Sequence, residues 1–93
     1  MPVEWERIPD GVPEDFQALN GEEIVGRVYQ IPTGPERGLW FWTMTALRPG
    51  PRLPPPTNGT EARRGDAGRR VVEAYERLLV HAEKHGSGEG GAK

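Results

Sequence analysis

Between positions 26 and 42 the chain reads Gly-Arg-Val-Tyr, a break rich in proline and glycine, and then Gly-Leu-Trp-Phe-Trp. No other stretch restricts the fold as much. It holds two of the three tryptophans, one of the two tyrosines and one of the two phenylalanines. Residues 22–31 add the β-branched side chains Ile24, Val25, Val28 and Ile31 around Tyr29, a composition that suits a pleated, half-buried surface. Pro32-Thr33-Gly34-Pro35-Glu36-Arg37-Gly38 reads only as a loop, so residues 22–31 and 39–46 are expected to be two antiparallel strands. Upstream, residues 15–19 alternate apolar and polar and end at Asn20-Gly21, a hairpin signal because the central turn positions want positive φ. The expectation is a three-stranded antiparallel meander.

The chain then changes character. Residues 48–58 contain Pro49, Pro51, Pro54, Pro55 and Pro56, which remove backbone donors and favour extended polyproline geometry. Helical periodicity takes over near Arg63 or Arg64. At 100° per residue, Ala67, Val71, Ala74, Tyr75, Leu78 and Ala82 share one stripe. Glu73 and Arg77 lie four apart on the opposite face, and Gly86 is a suitable stop. Gly68 in the second turn costs about 1 kcal/mol relative to alanine, which makes the start of the helix its weaker end. The fold class is therefore α+β, β-β-β-α, with one carboxyl-terminal helix. Its organisation is an acidic segment 1–14, a single domain 15–85 with a proline-rich loop 48–58, and a flexible glycine-rich tail 86–93.

Small residues on the helix stripe let it sit close to a sheet face carrying Trp40, Trp42 and Met44, completed by Phe16, Ala18, Ile24, Gly26 and Val28. The opposite face carries Arg27, Tyr29, Phe41, Thr43 and Thr45. One helix about 10–12 Å across covers only one side of a sheet. Trp5 and Ile8 of the front segment are the candidates to fold over the other side.

The order of these features resembles a group of small bacterial proteins of unknown function. The motifs that carry the likeness are Asp15-Phe16, Asn20-Gly21, Gly26-Arg27-Val28-Tyr29, Gly38-Leu39-Trp40-Phe41-Trp42 and Arg64-Gly65-Asp66-Ala67. They cover about two thirds of the chain, and the resemblance implies the β-β-β-α arrangement and no assigned activity. The proline stretch before the helix departs from that pattern. The strand-strand-strand-helix order is also similar, in topology alone, to the sheet-reading DNA-binding domains of phage-type integrases and plant AP2 factors.

Composition narrows the function classes. With no cysteine among 93 residues, disulfide staples, thiolate zinc sites and thiol catalysis are excluded. Small secreted domains usually rely on disulfides, and the acidic start has no apolar signal run, so a cytoplasmic protein is expected. No apolar stretch approaches the roughly 20 residues that span a bilayer. Only about 65 residues remain to build a core, a size at which a partner or a dimer often contributes. Net charge is −2, yet residues 1–36 carry eight acids against two arginines and residues 37–77 carry eight arginines against four acids. Such asymmetry points to pairing of the two halves or to nucleic-acid contact.

The candidate binding face is Arg27, Tyr29, Phe41 and Thr43, with Arg48 beside it. Its aromatics could stack bases or pack on a protein. Arg63, Arg64, Arg69 and Arg70 form a basic cluster at the helix amino terminus, where the dipole disfavours cations. That placement suits a phosphate or acidic partner, or simple pairing with Glu61, Asp66 and Glu73. His81 and His85 stand four apart without a third ligand, so no metal is expected. Pro51-Arg52-Leu53-Pro54-Pro55-Pro56 resembles a polyproline ligand for an SH3-like groove, and a stiff connector explains it equally well. Arg64-Gly65-Asp66 and Asn58-Gly59-Thr60 match adhesion and glycosylation signals only by chance in a chain without a secretion signal. No nucleophile, carboxylate pair or phosphate-binding glycine loop is recognisable, and no cofactor is implied. The reading is a non-catalytic interaction or accessory domain whose partner is another protein or a second copy of the chain. The alternative is a nucleic-acid-binding domain that uses the same face and the loop arginines.

Overall fold

The computed structural model describes residues 3–9 and 14–85. The glycine-rich tail and the helix stop at Gly86 lie outside the described residues. Six elements follow in chain order: β1 (Glu4–Arg7), β2 (Asp15–Asn20), β3 (Glu23–Gln30), β4 (Trp40–Met44), β5 (Asn58–Glu61) and α1 (Arg64–His85). All five strands form one antiparallel sheet in the order β1-β2-β3-β4-β5.

The central meander and the helix stand where the residue pattern places them. The strand number does not: the sheet has five strands rather than three, with β1 and β5 added at its two edges. Their sequences, Glu-Trp-Glu-Arg and Asn-Gly-Thr-Glu, carry little strand propensity. What recruits them is the unpaired backbone along β2 and β4. Trp5 pairs with Ala18 and Arg7 with Phe16 on one side, and Trp40 with Glu61 and Trp42 with Gly59 on the other. The loop between β4 and β5 joins the ladder before β5 begins, with Met44 N donating to Thr57 O at 2.8 Å. Short, charged strands at a sheet's rim also discourage pairing with other chains. Glu4–Arg7 of the acidic front segment thus pair into the sheet, and Asn58, the last residue of the expected proline-rich loop, opens β5.

Two local features shift the phase of the meander. Asn20 pairs with Glu23, so the hairpin's central residues are Gly21 and Glu22, one position later than an Asn20-Gly21 turn. Only Gly21 has positive φ, at 64°, the pattern of a turn with glycine at its first central position. A β-bulge then skips Val25: Leu19 pairs with Ile24, whereas Ala18 pairs with Gly26. Val25 and Val28 consequently both enter the core, and Ile24, expected on the helix side, is 52% exposed.

The core lies between one sheet face and α1. Ala18, Val25, Val28, Trp42 and Met44 of the sheet meet Ala67, Val71, Ala74, Tyr75 and Leu78 of the helix. Leu53, from the proline-rich connection, is also buried. That connection lies along the helix: Arg77 donates to the carbonyls of Pro54, at 3.2 Å, and of Pro56, and His81 Nε2 is 2.9 Å from the Pro51 carbonyl. It is a packed strap rather than a free polyproline segment. No helix among the described residues is long and apolar enough to cross a membrane.

Candidate functional site

Alternation along β2, β3 and β4 sends Asp15, Gln17, Arg27, Tyr29, Phe41 and Thr43 to the face away from the helix. Directly paired residues form short rows across the sheet. Asp15, Tyr29, Phe41 and Thr60 make one row, and Gln17, Arg27, Thr43 and Asn58 the next. Tyr29 and Phe41 are in ring contact, with centroids 5.2 Å apart and planes tilted by 39°. Among the described residues no element crosses this face. Trp5, one candidate to cover it, points the other way: it lies against Gly68 of α1, whose missing Cβ would stand 3.3 Å from the indole. That contact also accounts for a glycine inside the helix.

Arg27 does not stand free on the open face. Its Nε donates to Asp15 Oδ1 at 2.9 Å and its Nη2 to Asp15 Oδ2, and its guanidinium carbon lies 5.4 Å from the Tyr29 ring centroid. Asp15 has no exposed surface although it faces outward, because Arg27, 48% exposed in its side chain, covers it. The bidentate bond to Asp15 raises the Arg27 pKa further above its ordinary value, more than burial lowers it.

Arg48, expected beside these residues, is not among them. It pairs with Glu23 and reaches Tyr75 on the helix side of the sheet. There the Tyr75 hydroxyl donates to Glu23 Oε1 at 2.8 Å and accepts from Asn20 Nδ2 at 3.0 Å and from Arg48 Nη2 at 3.3 Å. Three side chains, from β2, β3 and the start of the proline-rich connection, thus meet around one buried phenol of the helix. The hydrogen bond from Arg48, with a smaller one from Tyr75, holds the Glu23 carboxyl below its usual range against the upward push of burial. No local pattern marks this cluster, because each member is an ordinary surface residue type in its own segment.

The helix-start arginines divide. Arg70 pairs with Glu61 at 2.8 Å, which raises its pKa, and approaches Glu73 at 3.9 Å. Arg69 pairs with Asp66. Arg63 is exposed. Arg64 turns toward β2, its guanidinium carbon 5.0 Å from the Phe16 ring centroid. Among the described residues no three potential metal ligands come together. The side chain of His85 lies outside the described residues.

Comparison with known protein families, with curated proteins and with solved structures found no match for this chain.

Proposed function

We propose that this protein is a non-catalytic interaction module that docks another protein surface on its open sheet face, around Arg27, Tyr29, Phe41 and Thr43. The observation that carries the reading is the Tyr29–Phe41 ring pair, held on a regular sheet that no described element covers. Aromatic rings on a rigid platform supply contact area with little side-chain ordering on binding. A second copy of the chain is the occupant to test first, because a domain this small gains from sharing a core.

Two placements favour a protein over nucleic acid. Arg27 is held by Asp15, and Arg48 lies on the far side against Glu23. The face thus offers few cations for the phosphate contacts that dominate nucleic-acid affinity.

Sedimentation velocity from micromolar to near-millimolar protein tests the dimer. Self-association that Phe41→Glu abolishes would support the open-face reading, and a monomer throughout would remove the second copy as occupant. Titration of labelled protein with mixed-sequence DNA at low salt tests the alternative. Amide shifts at Arg27, Tyr29 and Phe41 that reverse on added salt would promote nucleic acid instead.

A further inference from the structure

The helix does not cover its side of the sheet evenly. The α1 backbone approaches β3, β4 and β5 but neither β1 nor β2. Between those two strands and the first turns of the helix a groove of about 510 Å3 remains. Sites for small organic ligands usually enclose about 300–1,000 Å3. Its walls are of two chemical kinds. Trp5, Phe16 and Val72 are apolar, while Arg7, Arg64 and Arg69 bring positive charge. The Phe16 ring lies under two of those cations, with Arg64 at 5.0 Å and Arg7 at 5.9 Å from its centroid.

The three arginines are not equivalent. Arg69 is bonded to Asp66, and Arg7 stands 3.5 Å from Glu14. Arg64 has no carboxylate within ion-pair distance among the described residues. A guanidinium over an aromatic face, beside open apolar surface, is half of a recognition pair for a flat anion.

Gly65, which also lines the groove, adds a separate observation. A Cβ placed there would meet nothing within 4 Å, and no left-handed φ requires glycine. Gly68, one turn on, is explained by the indole of Trp5. Neither packing nor backbone explains Gly65, and almost any other residue would serve the helix better. The missing side chain keeps the groove deep beside Arg64.

We infer that this groove binds a small planar organic anion, its aromatic body against Trp5 and Phe16 and its carboxylate or phosphate on Arg64. Arg7 and Arg69 flank that anchor and make the mouth attractive to negative charge. The site lies on the opposite side of the sheet from the Tyr29–Phe41 pair, so the inference does not rest on the open-face reading.

The test is a titration of the isotope-labelled full chain with four probes: 2-naphthoate, adenosine monophosphate, neutral 2-naphthamide and inorganic phosphate. The Trp5 indole N–H and the Gly65 and Gly68 amides report binding. Saturable shifts there are expected from at least one aromatic anion, carboxylate or phosphate, and the tighter of the two identifies the head group. Naphthamide should bind about tenfold more weakly than naphthoate if the carboxylate is the head group, and Arg64→Gln should weaken the preferred anion by a similar factor.

Gly65→Leu should block binding without lowering the thermal midpoint, because leucine fills empty space and favours helix. The inference is overturned if both aromatic anions leave the reporters unmoved, if inorganic phosphate alone binds as tightly as the preferred aromatic anion, or if folded Arg64→Gln and Gly65→Leu proteins both bind that anion with unchanged affinity.

Discussion

Val71 of the helix sits directly over Gly26 of β3, so close that a Cβ on Gly26 would stand 2.7 Å from Val71 Cγ1. The same Cβ would come within 2.5 Å of the Thr43 carbonyl oxygen on the neighbouring strand. The Val71 methyl therefore rests on the bare backbone of β3, and glycine at position 26 lets helix and sheet approach this closely.

Gly26→Ala should destabilise the protein by about 1–3 kcal/mol, the usual range for overpacking a tight interior. Urea denaturation measures it. Trimming Val71 to alanine in the same chain should relieve only part of the strain, because the Thr43 carbonyl cannot move without disturbing the β3–β4 ladder. A Gly26→Ala protein as stable as the parent would show that both the helix and the Thr43 carbonyl can give way without cost.

Tyr75→Phe removes the hydroxyl on which Asn20, Glu23 and Arg48 converge. A loss of about 1–2 kcal/mol is expected, since the ring's packing is kept and only the hydrogen bonds go. The effect should be far from additive with Glu23→Gln, because the two changes dismantle one network. A double-mutant cycle by chemical denaturation reads that coupling directly.

Glu23 also makes stability depend on pH. Its carboxyl is held below the ordinary range in the folded protein, chiefly by Arg48, so the unfolded chain takes up this proton first. The stabilisation is therefore complete above the ordinary carboxylate range and is lost as pH falls through the lowered folded value. Denaturation midpoints measured across the acidic range should fall less steeply for Glu23→Gln than for the parent.

Asp15 and Arg27 should behave unequally when cut separately. Arg27→Ala uncovers and unpairs a carboxylate that has no exposed surface, and a loss of about 2 kcal/mol is expected, less than for a fully buried pair because Arg27 itself meets water. Removing both charges, as Arg27→Ala with Asp15→Ala, should cost less than the arginine change alone. Thermal melts of the single and double variants decide it. This comparison also shows whether a binding defect in Arg27→Ala is a loss of contact or of structure.

Gly65→Ala and Gly68→Ala both replace a poor helix former with the best one, Gly65 at the helix end and Gly68 one turn further in. Gly65→Ala should stabilise by up to about 1 kcal/mol, because its Cβ enters open space. Gly68→Ala should gain less or nothing, because its Cβ meets the Trp5 ring at 3.3 Å and the indole must shift. Equal melting temperatures for the two variants would count against the Trp5 packing described above.

The amino-acid sequence by itself determined the central meander, the helix and the face most of their side chains take. Periodicity is local, and β-branched and aromatic residues at alternating positions leave strands such as β3 and β4 few other solutions. The same logic exposed the Arg27, Tyr29, Phe41 and Thr43 face. It did not reveal the two rim strands, because Glu-Trp-Glu-Arg and Asn-Gly-Thr-Glu become strands only when β2 and β4 offer unpaired backbone. It did not reveal that Val25 is skipped in the ladder and Ile24 turned outward, because a bulge is a property of two strands together. Tertiary structure alone took Arg48 from the open face to Tyr75 and set Trp5 against Gly68. It also left Arg64 beside Phe16 at the rim of a groove. Each of these contacts joins residues far apart in the chain, and no spacing along one segment records the distance between two others.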